Sequence, residues 1–551
     1  MDSITNVRPG YGLEESGVLS RVKERLAATL NWAMTGERPI ILALCLVGFL
    51  AHTINMLDYP SFTFKDDEGI YAGQAWAVLR LGRLTPYTYF YDHAPAGWLL
   101  AAAWTFLTGG PRAFGGAIDS GRAFMLVLHM AMLPMLYGIT RRLGGNILAA
   151  GIATGFFALS PLAIFYQRMF LLDNIMMFWL LLSLFFLLDE KNRLSHLVIS
   201  GLAFGMALVS KETAIFVLPA LLLLAWRQRR KEQKETIFGM SGWVVPMIMV
   251  ISWYPLYALL KGELLGAGQA FGFNMLSGSS GQGVSLVDAL KWQSSRGGGG
   301  LFNLDNLFWQ LVRNDWFQRD PLLLAGGALA TGLNLLRSWR KPYLQVAGLL
   351  GLLPLVYLGR GGIVFDYYIL FAIPFLALNL GLFLGPLLGK FSGRGSLYAA
   401  GGLALCALVI YTSSGALPAL YTEHPDNAGR QALNWIKQNV PAQSRIITRD
   451  DMWTDLHEAS PEGPAFPNAH SHWKVASDPA IRWGVFKDDW HNVDYLIMSP
   501  GLIDSFKSTN NKVALDALAH AHMVKRWVSA PGHQNLHPQQ IVELWQVDKT
   551  P

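Results

Sequence analysis

The segment Phe64-Lys65-Asp66-Asp67-Glu68-Gly69-Ile70-Tyr71 sets three consecutive carboxylates just beyond an apolar run. Neighbouring carboxylates repel one another, so a task or a local field must compensate. One compensation is structural: acids at a helix N-terminus oppose the macrodipole and cap free amides, and 67–80 reads as a helix. That accounts for one or two of the acids. A remaining carboxylate at the membrane surface suits proton transfer. A second element, Tyr166-Gln167-Arg168-Met169-Phe170-Leu171-Leu172-Asp173, heads another apolar stretch. Asp173 needs a partner there if ionised. Arg168 either supplies it or serves as a bidentate ligand for a phosphate. A third, Ser210-Lys211-Glu212-Thr213, interrupts two apolar stretches with a Lys–Glu pair that either neutralises itself or serves a ligand.

The elements that position these residues are membrane helices. Of 551 residues 52% are hydrophobic and 15% charged, against roughly 25% charged in soluble proteins. Stretches 39–56, 171–188 and 214–226 are apolar around every turn, so lipid is their natural solvent. The net charge is +6, but the basic residues fall in short clusters between apolar runs, the pattern of cytoplasmic loops and not of a nucleic-acid surface. Cys45 and Cys406 lie within apolar segments and imply no disulfide. The polar residues 1–38 are not a cleavable leader. Val18, Val22, Leu26 and Leu30, interleaved with Arg21, Lys23 and Arg25, read as a basic amphipathic helix on the inner membrane surface or as a solvated helix.

Charge parity sets the topology. If every basic cluster is cytoplasmic, an even number of spans separates each from the next. Before Arg141–Arg142 there are three candidates, 39–57, 97–109 and 121–140. The second, about 13 residues where a span needs about 20, is read as a helix along the outer surface after Pro95. The remaining spans are 145–162, 171–188, 195–210, 213–226, 237–260, 321–337, 342–358, 365–389 and 395–416, about eleven crossings in all. Three regions follow: a cytoplasmic segment 1–38, a membrane domain 39–416 and a soluble outer domain 417–551, with loops 58–120 and 261–320 also outside. In the tail, a helix at 427–439, strands at 445–448, 494–498 and 541–547, and a helix near 512–520 predict a small α/β domain. On this topology Asp67, Arg168, Asp173 and Lys211 share the outer membrane face, where an acid for proton transfer and cations for a phosphate suit a lipid-linked substrate.

These features, in this order, resemble the polytopic lipid-carrier-dependent glycosyltransferases of the GT-C class, which include the protein O-mannosyltransferases and the bacterial aminoarabinose transferases. The resemblance spans about 39–230 and rests on Asp67-Glu68-Gly69-Ile70-Tyr71 after the first span, Pro95-Ala96-Gly97-Trp98 opening the surface helix, the span-leading Arg122, Arg168 with Leu172-Asp173, and Lys211. It implies an α-helical membrane enzyme that transfers sugar, with inversion, from a polyprenyl-phosphate donor to an extracytoplasmic acceptor, using no nucleotide sugar. Asp67 is then the general base, flanked by Asp66 and Glu68, with Asp173 placing the acceptor or Arg168. Arg168 and Lys211 hold the leaving phosphate, and Tyr71 and Arg122 belong to substrate-facing motifs. Where aminoarabinose transferases carry a Lys before the surface-helix Pro, this chain has Tyr91-Asp92-His93-Ala94-Pro95, leaving His93 as a phosphate ligand when protonated. Arg360 and Phe365-Asp366-Tyr367-Tyr368 stand where relatives carry a basic–aromatic pair. They add Arg360 to the phosphate ligands and Tyr367 or Tyr368 to the substrate contacts. No cofactor is required and no metal site is assigned. A divalent cation is an option at Asp66, Asp67 and Glu68, or in the tail at His470, His472, Asp488, Asp489 and His491. The rival reading is a transporter or flippase of lipid-linked sugars. Such proteins place ionisable groups near the bilayer midplane, where only His52 and His129 stand here.

Overall fold

The computed structural model describes residues 35–62, 67–84, 93–189, 193–230, 236–265, 285–295, 300–391, 394–478, 480–532 and 539–549. The amphipathic segment expected before residue 35, Asp66, and Tyr91-Asp92 lie outside them. Helices occupy all the apolar stretches read as spans. Three are long and apolar enough to cross a membrane alone: Ala117–Arg142, Met240–Leu260 and Asp366–Leu388. Two bent pairs qualify jointly, and six shorter apolar helices, Ala96–Leu107 among them, complete the set.

Local chemistry explains where helices stop. The stretch 145–162, read as one span, breaks at Ser160-Pro161 into Ile147–Leu159 and Pro161–Arg168, bent by 56°. Ser160 is extended and its hydroxyl accepts the Ala163 N–H, an N-cap with Pro at the first helical position. Lys211, also extended, ends Leu194–Ser210 and precedes a 3₁₀ turn, Glu212–Val217. Ile147–Leu159 and Ile373–Leu388 pack closely because small residues face each other. A Cβ on Gly381 would lie 2.4 Å from the Ala149 carbonyl oxygen, and one on Gly385 2.5 Å from Ala149 Cβ. This is the small-residue seam by which helices associate in lipid.

The tail folds around a five-stranded sheet of order β2-β1-β3-β5-β4. Strand β1 (Ile446–Thr448) runs parallel to β2 (Ala469–Ser471) and β3 (Tyr495–Met498), whereas β5 (Ile541–Val547) is antiparallel to β3 and β4 (Ala521–Val528). Strand alternation feeds two apolar layers. Ile446, Ile497 and Leu544 face Ala432 and Ile436 of the helix Asn427–Asn439, and Ile447, Leu496 and Val547 face Val513 and Ala517 of Lys512–Ala519.

This sheet domain is docked on the helix that begins after Asp67. Helix Asp450–His457 packs against Glu68–Leu81. Trp76 and Trp453 meet edge to face at 5.3 Å, and Arg80 donates two 2.8 Å bonds to Glu458. The fit is tightest at Gly69, where a Cβ would lie 2.4 Å from the Asp450 carbonyl carbon. Gly69→Val is therefore expected to cost about 1–3 kcal/mol by overpacking, lowering the thermal midpoint and displacing Asp67 two residues away. An unchanged midpoint would show that the interface yields.

A second tie is pH-sensitive. Asp455 accepts the Ala117 N–H at 3.1 Å, joining the tail to the start of Ala117–Arg142. Burial, with a smaller contribution from Asp119 and against the pull of Arg112 and Lys437, pushes its pKa up to about 6. The folded state thus holds this proton more tightly than the unfolded chain, whose carboxyl titrates near ~3.9. The resulting stabilisation is full below that value and lost as pH rises through about 6. The loss is about 3 kcal/mol. Asp455→Asn, which keeps an oxygen for Ala117, should raise the midpoint at pH 7.5 far more than at pH 4. Equal shifts at both pH values would contradict this assignment.

Candidate active site

Asp67 stands half-buried at the N-cap of Glu68–Leu81. Its Oδ2 accepts the Tyr71 hydroxyl one turn on, at 2.8 Å, and the Tyr367 hydroxyl at 2.5 Å. Both of these bonds fall on Oδ2, and no bond to Oδ1 is found among the described residues. Lys211 lies beside these phenols: its Nζ is 5.4 Å from the Tyr367 ring centre and 4.6 Å from that of Tyr368. The same ammonium donates to Asp173 Oδ2 at 2.5 Å, and both side chains are almost wholly buried, 1% and 2% exposed. Asp67, Tyr71, Asp173, Lys211, Tyr367 and Tyr368 thus form one cluster, drawn from four separate segments.

Arg360 and His93 are one contact further out. The Arg360 guanidinium lies 3.9 Å from the Tyr357 ring centre and donates to the Tyr357 carbonyl at 2.8 Å, while Tyr357 lies 6.5 Å from Tyr368. His93 Nδ1 is 3.1 Å from Glu212 Oε2, and the other oxygen of Glu212 accepts the Ala94 N–H at 2.5 Å. So Lys211 and Glu212 do not neutralise each other. Each charge is given to a different segment, and Glu212 fastens the entry to the helix Ala96–Leu107 beside the Lys211 break.

Three expected site residues are otherwise engaged. Glu68 points inward, accepting Arg122 Nε and Nη2 at 3.0 and 2.8 Å and the Phe170 N–H at 2.7 Å. Glu68 and Arg122 are thereby a fully buried bidentate pair, a tie between the start of helix Glu68–Leu81 and helix Ala117–Arg142 and not an open acid and an open substrate ligand. Arg168 does not pair with Asp173. Its five N–H donors go to the carbonyls of Ala51, His52, Ile54, Tyr59 and Leu420. Three of those carbonyls close the helix Arg38–Thr53, whose C-terminus attracts a cation. A guanidinium with every donor committed is no free phosphate ligand.

Sequence reading missed Tyr357, which forms a wall between Arg360 and Phe216, the latter ring 4.4 Å away. It also missed Asp315 and Arg319. The Tyr166 hydroxyl lies 2.6 Å from Asp315 and 3.2 Å from Asp366, and Arg319 donates to Asp315 at 2.7 Å. Asp366 directly precedes Tyr367, so this network anchors the turn that carries the phenol on Asp67. Only the i, i+4 spacing of Asp315 and Arg319 hinted at it.

Among the described residues no group of three or more His, Cys, Asp or Glu is placed to hold a metal ion. In the tail, His472 faces Asp450 while Asp489 is taken by His491 and Asp488 by Arg482. Trp453, one of the tail tryptophans, packs on Trp76.

The arrangement offers a carboxylate steadied on one oxygen and, among the described residues, unpartnered on the other, beside a lysine held in an aromatic wall. It can take a proton from a hydroxyl and hold negative charge close by.

Residues 92–255 match the family model described as dolichyl-phosphate-mannose-protein mannosyltransferase. A search of the curated proteins finds no match. Among solved structures, the chain is similar to the oligosaccharyltransferase of Archaeoglobus fulgidus in its apo form, with TM-score 0.54 and 13% identity over 87% of this chain and 71% of that one. The archaeal oligosaccharyltransferase AglB from Archaeoglobus fulgidus, in complex with an inhibitory peptide and a dolichol-phosphate, gives TM-score 0.51 and 12% identity over 88% and 72%. ArnT from Cupriavidus metallidurans bound to undecaprenyl phosphate gives TM-score 0.54 and 15% identity over 93% and 98%. At these identities the likeness is one of fold.

Proposed function

We propose that this chain, a membrane protein of the GT-C glycosyltransferase class, is an inverting transferase that moves one sugar from a polyprenyl-phosphate donor to an extracytoplasmic acceptor. The sugar is a hexose such as mannose, or a pentose, and the acceptor a protein, glycolipid or cell-wall glycan. The N-terminus lies in the cytoplasm and the sheet domain outside. The observation that carries the reading is the open oxygen of Asp67 in the same cluster as the Lys211–Asp173 pair. Support for a lipid-phosphate donor comes from two relatives by fold, one bound to undecaprenyl phosphate and one to a dolichol-phosphate.

In the proposed reaction the acceptor hydroxyl lies against Asp67 Oδ1 and attacks the anomeric carbon of the donor. A bond forms between that carbon and the acceptor oxygen as the bond to the phosphate oxygen breaks on the opposite face. The hydroxyl proton passes to Asp67, and the electron pair leaves with the polyprenyl phosphate. Tyr71 and Tyr367 orient the carboxylate. Lys211 stabilises the leaving phosphate, with Arg360 and His93 as outer cations, and Asp173 holds the ammonium in place. Lys211 is buried in the state described, so the phosphate must enter by displacing part of the Tyr368 and Tyr357 wall.

Purified protein supplied with a panel of polyprenyl-phosphate sugars tests this. Release of polyprenyl phosphate with transfer from at least one member is expected, and no transfer from nucleotide sugars. Failure of every lipid-phosphate sugar to bind would overturn it.

A further inference from the structure

A cavity of about 230 Å³ lies between the first outer loop and the sheet domain, and shares no lining residue with the Asp67–Lys211 cluster. Its ionic groups are largely matched to each other. Arg449 donates to Asp451 at 2.9 and 2.5 Å, Arg430 makes two 2.8 Å bonds to Asp119, and Arg112 reaches Glu462 at 3.2 Å. Three lining residues hold a polar atom without a hydrogen-bond partner, and for one of them, Arg430 Nε, an ion pair with Asp58 Oδ1 at 3.4 Å stands in. Arg449 Nη1 and Asp426 Oδ2 have no hydrogen-bond partner, although the residues are only 2% and 4% exposed. Asp426 Oδ2 does come within 3.9 Å of the Arg122 guanidinium. Both groups hold the backbone of one residue: Asp426 Oδ1 accepts the Phe62 N–H at 2.6 Å, and Arg449 Nη2 donates to the Phe62 carbonyl at 3.3 Å.

A buried donor and a buried acceptor left unmet cost about 1–3 kcal/mol each. An apolar ligand would leave both unmet. An anion would satisfy Arg449 but face Asp426, Asp451, Asp455 and Glu462, four carboxylates against the three guanidiniums of the lining. A hydroxyl group both donates and accepts, so a ligand with adjacent hydroxyls meets both needs without adding charge. The volume is below the ~300–1,000 Å³ of drug-sized sites and suits a single ring.

We propose that this cavity binds one neutral sugar unit, with neighbouring hydroxyls taken by Arg449 Nη1 and Asp426 Oδ2. Under the transfer reading, on which only this part of the inference rests, the acceptor carries a glycan and the sheet domain grips one of its sugars while Asp67 works on another hydroxyl. The binding itself needs no donor, so its failure and the failure of the transfer reading are separable.

The test uses the full chain in a detergent without sugar headgroups, titrated with mannose, galactose, glucose and arabinose by saturation-transfer NMR. Gly429 lines the cavity, and a Cβ there would meet no atom within 4 Å. Gly429→Leu therefore fills the space without disturbing the fold. Binding of at least one sugar is expected, weakened tenfold or more in Gly429→Leu at an undiminished thermal midpoint, and retained in Asp67→Asn. Absence of binding by all four sugars would overturn the proposal, as would binding that Gly429→Leu leaves intact. Inorganic phosphate competing for the site would equally overturn it, because it would mark an anion site.

Discussion

Asp67→Asn is expected to lower the turnover of sugar transfer by about two to four orders of magnitude, the usual contribution of a positioned general base. The substitution is close to isosteric. An amide oxygen in place of Oδ2 still accepts the Tyr71 and Tyr367 hydroxyls, so the helix start and the turn before Ile373–Leu388 stay in register. What changes is the open position, where a proton-accepting oxygen becomes an N–H₂ donor. Donor affinity should therefore stay within about twofold and the thermal midpoint within a degree or two, because neither depends on proton removal. Turnover at saturating donor, set beside a direct binding isotherm for the donor, separates the two. Near-normal turnover would remove Asp67 from the chemistry, whereas equal loss of binding and turnover would make it a binding residue.

Lys211→Met carries the second large effect, and it divides into a structural and a functional part. Removing one member of a buried ion pair leaves the other uncompensated, at a cost of about 3–5 kcal/mol. Asp173, 2% exposed and 2.5 Å from the ammonium, would be left in that position. Lys211→Met alone should thus be strongly destabilised. The double variant Asp173→Asn with Lys211→Met leaves no lone charge and should recover most of the thermal midpoint. It should not recover affinity for polyprenyl phosphate, expected to fall at least tenfold for want of the cation. If the double variant binds the lipid phosphate normally, Lys211 is a structural residue and the phosphate is held elsewhere.

Much of the membrane architecture was legible because lipid imposes a simple rule on sequence: apolar around every turn, polar at the ends. The helices at each expected stretch, the shortness of Ala96–Leu107 and the break at Lys211 all follow from it. In the tail, β1, β3, β5 and the helices Asn427–Asn439 and Lys512–Ala519 were legible from apolar runs bounded by turn residues. Strand β4 was not, because it is an edge strand whose Lys525 and Arg526 face outward and break the alternation. Strand β2, at three residues, carries too little pattern to read.

In the site, residue types were legible and partners were not. Asp67, Asp173 and Lys211, singled out by their chemistry, stand together with Tyr71 and Tyr367, which the family resemblance supplied, whereas Arg168 does not join them. Which buried charge meets which depends on tertiary packing. Arg168 stands five residues before Asp173, yet its guanidinium closes the helix Arg38–Thr53 from a distance of more than a hundred residues in sequence. Glu68, adjacent to Asp67, points the opposite way because Arg122 and the Phe170 amide draw it inward. One signal was readable and passed over: Ser160-Pro161, an N-cap followed by a first-turn proline, which divides what otherwise reads as a single span.

The most direct test of the account is the anomeric configuration of the transferred sugar, read by NMR on product formed from a polyprenyl-phosphate donor of known configuration. Attack by the acceptor on the face opposite the phosphate, with Asp67 taking the proton, predicts an inverted product and one equivalent of released polyprenyl phosphate. A product of retained configuration would contradict it, because it would require a covalent sugar intermediate or front-face attack that a single base at Asp67 does not provide.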